Sequence, residues 1–189
     1  MQLSKDQQEV IEAEIDNKFL LAGPGTGKTV TIIGFIKYLI EKLKIEPTSI
    51  FVITFTRSTA KELKEKIKKE LSGGIKSPDV STLHSFALRQ LMKNTKRTTN
   101  LPVNFKIAND FEERYIVLED IKRLMRVKRI DDVENLFNRL SADWETLNAD
   151  TNDWEITFEN PEFLGAWQEH RNVYGYLLRA ELVYQLKKY

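Results

Sequence analysis

Phe19-Leu20-Leu21-Ala22-Gly23-Pro24-Gly25-Thr26-Gly27-Lys28-Thr29 decides how this chain is read. An apolar run leads into the glycines, and an apolar-periodic segment from Val30 to Leu43 leads out of them. Strand, glycine-rich turn and helix make the context that a phosphate-binding P-loop requires. The three glycines, Gly23, Gly25 and Gly27, let the backbone curl so that successive N–H groups face phosphate oxygens. The following helix adds the positive end of its dipole. In that setting Lys28 reaches the β- and γ-phosphates, and the Thr29 hydroxyl is the Mg²⁺ ligand. Pro24 and Thr26 complete the loop. Ala22 stands where the pattern's first glycine would be, and its side chain is small enough to be accommodated there.

Working outward from the loop, residues 4–15 have the pattern of a short helix. Ser4 is its N-cap and Gln7 its third helical position. Residues 19–22 are expected as a buried strand. Residues 29–44 are expected as a helix that is apolar nearly all round and so deeply packed, with Glu46-Pro47-Thr48 as its break. Ile50-Phe51-Val52-Ile53-Thr54-Phe55 is a continuous apolar run of the kind found in parallel sheets. Residues 60–71 form an amphipathic helix with Leu63, Ile67 and Leu71 inward, closed by Gly73-Gly74. Residues 79–82 give a third strand and residues 84–92 a further helix. This alternation predicts an α/β fold built on a parallel sheet.

The pattern changes after Lys93. Residues 93–100 are polar and basic, a loop. From Asp110 the apolar positions Tyr115, Leu118, Ile121, Leu124 and Met125 recur at helical spacing, and Val133, Leu136, Phe137 and Leu140 repeat it. Residues 148–160 read as loop and 161–189 as helix again. The expected division is therefore 1–107, α/β, and 108–189, mostly α-helical.

Composition narrows the possibilities. The 189 residues are 41% hydrophobic, enough for a real core, and contain no cysteine, which excludes a disulfide framework or a thiolate metal site. The N-terminus lacks the apolar segment of a signal peptide. No run approaches the roughly 18 apolar residues of a membrane helix. A cytoplasmic protein without membrane partners is expected. Net charge is +1 but unevenly spread. Residues 1–100 hold 17 Lys/Arg against 11 Asp/Glu; residues 101–189 hold 12 against 17. The first half suits a polyanion better than the second. Eight acids and no Lys or Arg lie between Arg139 and Arg171, a solvated surface.

Three further stretches carry chemistry. Leu3-Ser4-Lys5-Asp6-Gln7-Gln8-Glu9 lies about twenty residues ahead of Lys28, and a Gln amide pairs bidentately with adenine N6 and N7. Ile53-Thr54-Phe55-Thr56-Arg57-Ser58-Thr59-Ala60 sits where the second strand turns into its helix. Val80-Ser81-Thr82-Leu83-His84-Ser85-Phe86 occupies the same edge of the third strand. The carboxyl edge of such a sheet is where ligands bind.

Together these residues resemble the N-terminal part of the UvrD/Rep/PcrA-type superfamily 1 DNA helicases. Gln7 matches the family's Q motif, residues 22–29 motif I, residues 53–60 motif Ia and residues 80–86 motif Ib, in the family's order and spacing. Trp167 to Tyr176 with Leu178 to Leu182 also looks like a segment lying just ahead of motif II in some members. The resemblance implies an incomplete RecA-like P-loop NTPase sheet with a mostly helical inserted subdomain. It also implies ATP and Mg²⁺ as cofactors, and single-stranded DNA as partner. Phe55 and Thr56 are implied to contact the DNA, Phe55 as part of a base pocket, with Thr82, His84 and Ser85 near its backbone. Hydroxyls, imidazoles and aromatic faces bind phosphates and bases without reading sequence. Arg57 departs from the Asn common at its position and adds a cation.

A working motor needs a Walker B Asp-Glu, arginine fingers and a second RecA-like domain. The strongest apolar run leading into acids is Tyr115-Ile116-Val117-Leu118-Glu119-Asp120, but Ile121, Leu124 and Met125 continue it as an amphipathic helix. The expectation is thus an N-terminal fragment, cut before motif II, that awaits the remainder of the helicase chain and does not hydrolyse ATP alone. In the family the motif II strand lies beside the motif I strand. Its loss is expected to cause re-pairing of the remaining strands or self-association through exposed sheet edges. The competing readings are a stand-alone nucleotide- and single-strand-binding module without turnover, and an unrelated P-loop small-molecule kinase or regulatory ATPase.

Overall fold

The computed structural model describes residues 3–14, 16–71, 76–94 and 101–188. It is a mixed α/β structure with two small parallel sheets and many helices. Two compact units divide it at Leu83/His84, ahead of the 107/108 boundary expected from the change in pattern.

The first unit runs to Leu83. Helix α1 (Lys5–Glu12) starts at a capping box: the Ser4 hydroxyl accepts from the Gln7 N–H, and the Gln7 carboxamide accepts from the Ser4 N–H. It ends earlier than the pattern suggested. Helix α2 (Lys28–Glu41) follows the glycine-rich loop, and a 3₁₀ turn at Pro47–Ser49 leads into strand β1 (Phe51–Thr54). Helix α3 (Arg57–Glu70) and strand β2 (Asp79–Thr82) complete the unit. β1 and β2 pair in parallel, Phe51 opposite Asp79 through Thr54 opposite Thr82. The core is Ile33, Ile36 and Ile40 of α2 against Ala60, Leu63, Ile67 and Leu71 from α3 and its end, with Val80 of β2. Gly73-Gly74, the expected stop of α3, lies outside the described residues.

Gly34 joins α1 to α2. A Cβ there would stand 2.9 Å from Ile11 Cδ1 and 3.2 Å from the Leu3 methyls. A glycine inside a helix costs roughly 1 kcal/mol relative to alanine. Here it lets Leu3 and Ile11 press onto α2, which brings α1 and its Gln7 to the loop at the head of that helix.

The structure corrects the strand expected at 19–22. Those residues form no strand; Phe19 is 89% and Leu21 84% exposed. Among the described residues the two-stranded sheet β1–β2 contains no third strand, so the re-pairing expected of residues 19–22 does not occur there. A strand is held by ladder hydrogen bonds to a neighbour, not by its own apolarity. The same incompleteness shows on β1, where Val52 is half-buried but Phe51 (48%) and Ile53 (45%) face solvent. α2 is likewise shorter and less deeply packed than expected: it ends at Glu41, Ile32 on it is exposed, and Leu43 lies exposed beyond its end.

The second unit begins at His84, within the first turn of α4 (Leu83–Lys93). The expected loop at 93–100 lies, from residue 95 on, outside the described residues. A short strand β3 (Lys106–Ile107) is followed by α5 (Asp110–Glu112), a π-helical turn (Glu113–Val117) and α6 (Leu118–Leu124). The helical reading of 115–120 therefore holds. Helices α7 (Ile130–Glu145), α8 (Trp154–Thr157) and α9 (Pro161–Tyr174) follow. The segment 148–160, expected as loop, holds α8 and a 3₁₀ turn at Asn148–Asp150. The helix expected over 161–189 is interrupted. Gly175, at φ +65°, ends α9, strand β4 (Tyr176–Leu177) pairs in parallel with β3, and α10 (Glu181–Lys188) resumes. Aromatic packing dominates this core, with Phe163 edge-on to Phe137 at 4.8 Å and Trp144 against Trp167 at 5.4 Å. A buried ion pair, Arg171–Glu181, ties α9 to α10. The Arg171 guanidinium also lies over the Trp167 ring at 4.9 Å.

Candidate functional site

The glycine-rich loop turns where only glycine turns easily. Gly25 and Gly27 have φ of +75° and +84°, and Gly27 is the left-handed N-cap of α2. No side chain caps that helix, which leaves its first N–H groups and the positive dipole end to an external anion. The Thr26 hydroxyl donates to the Gly23 carbonyl at 2.8 Å and braces the turn. Lys28 folds its amine back over the loop, donating to the Ala22 carbonyl at 3.0 Å and the Gly23 carbonyl at 2.6 Å. The amine thus hangs over the loop's concave side. Ala22 takes part through its backbone, so the missing first glycine costs no contact. Pro24, Lys28 and Thr29 are exposed. An uncapped helix start, a left-handed glycine turn and a lysine over it fit a polyphosphate with its Mg²⁺, and Thr29 is the hydroxyl at the helix start.

Gln7 arrives at this loop on α1. Its carboxamide nitrogen lies 3.5 Å from the Thr26 carbonyl oxygen. A Cβ on Gly27 would stand only 2.7 Å from that nitrogen. Gly27 is therefore required twice, for its positive φ and for the room it leaves to Gln7. The structure brings Gln7, Ala22, Gly23, Thr26, Gly27 and Lys28 together at one loop.

A second group gathers at the carboxyl edge of β1–β2. Register puts Thr54 opposite Thr82, so residues 54–57 and Thr82 share one edge. Phe55 is 97% exposed. Thr56 is the N-cap of α3, its hydroxyl accepting from the Thr59 N–H at 3.1 Å and hydrogen-bonding the Thr59 hydroxyl at 2.8 Å. Arg57 is the first, exposed residue of α3. This edge thus offers an aromatic face, a hydroxyl pair, a guanidinium and the start of a long helix. Thr82 is buried at the end of β2 and less open than its neighbours. His84 and Ser85 begin α4 in the second unit; His84 is exposed and Ser85 half-buried. Thr59 was not singled out from sequence, although the spacing Thr56-Arg57-Ser58-Thr59 carries the N-cap signal.

Glu119 and Asp120 have other occupations. Glu119 pairs with Lys122 at 3.4 Å. Asp120 faces the buried His170 Nε2 at 3.3 Å, and the His170 Nδ1 meets the Tyr176 hydroxyl at 3.0 Å. Burial pushes the Tyr176 phenol up from its ordinary pKa. Among the described residues no group of three or more His, Asp or Glu side chains is arranged to hold a metal ion.

Comparison with known proteins gives the same direction. The family model described as UvrD/REP helicase N-terminal domain matches residues 3–183. A protein named probable DNA helicase II homolog from Mycoplasma capricolum is 36% identical over 123 residues, 65% of this chain and 17% of that protein. Its namesake from Mycoplasma genitalium is 26% identical over 98% of this chain and 26% of its own length. The ATP-dependent DNA helicase PcrA of Bacillus subtilis is 31% identical over 68% of this chain and 17% of its own. The chain thus spans about a quarter or less of the length of these relatives.

Proposed function

The chain belongs to the UvrD/REP helicase N-terminal domain family, and from that premise we propose that it is the ATP- and single-stranded-DNA-binding N-terminal portion of an ATP-dependent 3′→5′ DNA helicase or translocase of the cytoplasm. The observation that carries the reading is the uncapped, left-handed glycine turn at the head of α2 with Lys28 folded over it and Gln7 beside it. In this reading residues 1–107 are the N-terminal part of an incomplete RecA-like domain and residues 108–189 belong to an inserted helical subdomain. The loop N–H groups and Lys28 hold the phosphates, Thr29 holds Mg²⁺, and Gln7 meets the adenine. When bound, Mg²⁺ supplies charge neutralisation on the phosphate oxygens. The edge of the first unit formed by Phe55, Thr56, Arg57 and Thr82 takes the DNA; His84 and Ser85, in the second unit, are assigned to the DNA backbone by likeness to the family alone. Stacking and phosphate contacts there make binding tolerant of sequence.

Hydrolysis needs an acid to fix Mg²⁺ and orient the attacking water, and cationic groups from a second domain. Glu119 and Asp120, the residues closest to such a motif in sequence, sit on a helix and are engaged with Lys122 and His170. The 189-residue chain is therefore expected to bind ATP and oligo-dT without turning ATP over. Phosphate release measured with Mg²⁺, with and without the oligonucleotide, tests this. Strand-stimulated release would overturn it and make Glu119 and Asp120 the first residues to replace. A stand-alone binding module without turnover gives the same steady-state result; restoration of turnover by the remainder of a helicase chain separates the two.

The exposed apolar residues Phe19, Leu21, Phe51 and Ile53 belong, in this reading, to a sheet edge and face that the rest of the domain covers. Without that cover the chain is expected to self-associate. Sedimentation velocity should show oligomers at high micromolar concentration. The double substitution Phe19→Glu, Leu21→Lys should return the chain to monomer. A wild-type chain that stays monomeric throughout would sink this expectation.

A further inference from the structure

Resting on the reading of Gln7 as the adenine contact, we infer that the Ser4 backbone N–H and the Thr26 carbonyl are the specificity-positioning groups of the site: they hold the Gln7 carboxamide in one orientation and so set its preference for ATP over GTP. A carboxamide carries two acceptor lone pairs on oxygen and two N–H donors. In this structure the chain uses one of each. Ser4 N–H donates to Gln7 Oε1 at 2.9 Å, and Gln7 Nε2 reaches toward the Thr26 carbonyl at 3.5 Å. Among the described residues, one lone pair and one N–H remain without a hydrogen bond. Adenine presents the matching pair, the N6 donor and the N7 acceptor, whereas guanine presents two acceptors, O6 and N7.

A freely rotating carboxamide discriminates poorly, because it swings away from guanine O6 at little cost. This one is not free. Turning the amide over would set its NH₂ against the Ser4 N–H, donor against donor, and its oxygen against the Thr26 carbonyl, acceptor against acceptor. Gly27 closes the remaining side, since the Gln7 nitrogen fills the space a Cβ would occupy there. The helix cap and the base contact are thus two uses of one side chain. α1 is docked through Leu3 and Ile11 onto Gly34 of α2, which fixes the cap relative to the phosphate loop.

The N–H can be removed without a change in the backbone angles of Ser4 itself. Ser4 has φ −70° and ψ 165°, values proline adopts. Ser4→Pro deletes both the hydroxyl cap and the N–H, whereas Ser4→Ala deletes only the hydroxyl. Dissociation constants for ATP, GTP and inorganic triphosphate are measured with the 189-residue chain and both variants, with Gln7→Leu as the floor. A bidentate amide–adenine contact gives wild type an ATP preference of roughly tenfold or more. Ser4→Ala should keep most of it. Ser4→Pro should reduce it to within about threefold of the Gln7→Leu floor, with triphosphate affinity unchanged. Three results would overturn the inference: Ser4→Pro retaining full preference, Ser4→Ala behaving as Ser4→Pro, or all three ligands weakening together. A wild-type chain that binds no nucleotide at all overturns the broader assignment of the loop, a separate and recognisable outcome.

Discussion

Lys28→Ala should weaken ATP binding by about 100-fold or more while leaving oligo-dT binding and the fold unchanged. The amine is the one cation of the loop 22–29, and its hydrogen bonds to the Ala22 and Gly23 carbonyls hold it over the turn. Nothing in the core depends on it: Lys28 is exposed and is the first residue of α2, where alanine is an equally good helix former. Phe55→Ala is the converse experiment. At 97% exposure the ring contributes little to the packing of β1. Stacking is worth about 1–3 kcal/mol per base, so strand binding should fall roughly 5- to 100-fold with ATP binding intact. Fluorescence anisotropy with a labelled ATP analogue and a labelled oligo-dT reads both. If Lys28→Ala loses the strand as well, with its far-UV circular dichroism unchanged, the two sites are not separate.

What the sequence made legible was local. The cap at Ser4, the strand 79–82 and the inward face of α3 each depend on residues within one turn or one strand, and each stands where expected. The loop 22–29 was legible because glycine, lysine and threonine spacing encodes backbone geometry directly. Residues 19–22 were misread because a strand is defined by its neighbour. Phe19-Leu20-Leu21 carries the apolarity of a buried strand but finds no partner among the described residues. The face of β1 bearing Phe51 and Ile53 is exposed for a related reason: among the described residues the core gathers on Val52 and Val80 and not on Phe51 or Ile53. In the second unit the two-residue strands β3 and β4 are too short to announce themselves, and they meet 70 residues apart at Lys106 and Tyr176. Charge burial was equally hidden. Arg171 and Glu181 look like surface residues of helical segments, and only the turn at Gly175 folds them onto each other.

That buried pair carries the second large effect. Arg171→Leu should cost about 3–5 kcal/mol of stability at neutral pH, because it strands a charge that the fold has enclosed. Glu181 is fully buried and, among the described residues, keeps only the Gln185 amide, at 2.8 Å, as a side-chain donor once the guanidinium is gone. Its second oxygen already lacks a hydrogen-bond partner among the described residues. Burial pushes the Glu181 carboxyl above the usual range, against the pull of Arg171 and the Gln185 amide; deleting Arg171 lifts it further. A carboxyl raised on folding gives stability that is present below its unfolded pKa and lost as pH rises through its folded value. The Arg171→Leu deficit should therefore be greatest near pH 7 and shrink as pH falls toward 4.5. Glu181→Gln provides the contrast, since it strands an arginine that does not give up its proton and should be destabilised to a similar degree across the same range. Urea unfolding followed by tryptophan emission measures both, because all three tryptophans, Trp144, Trp154 and Trp167, lie in the second unit. An Arg171→Leu deficit that does not change with pH would show that the enclosed carboxylate is not its source. A variant as stable as wild type would mean that the pair's attraction only offsets the cost of burying the guanidinium.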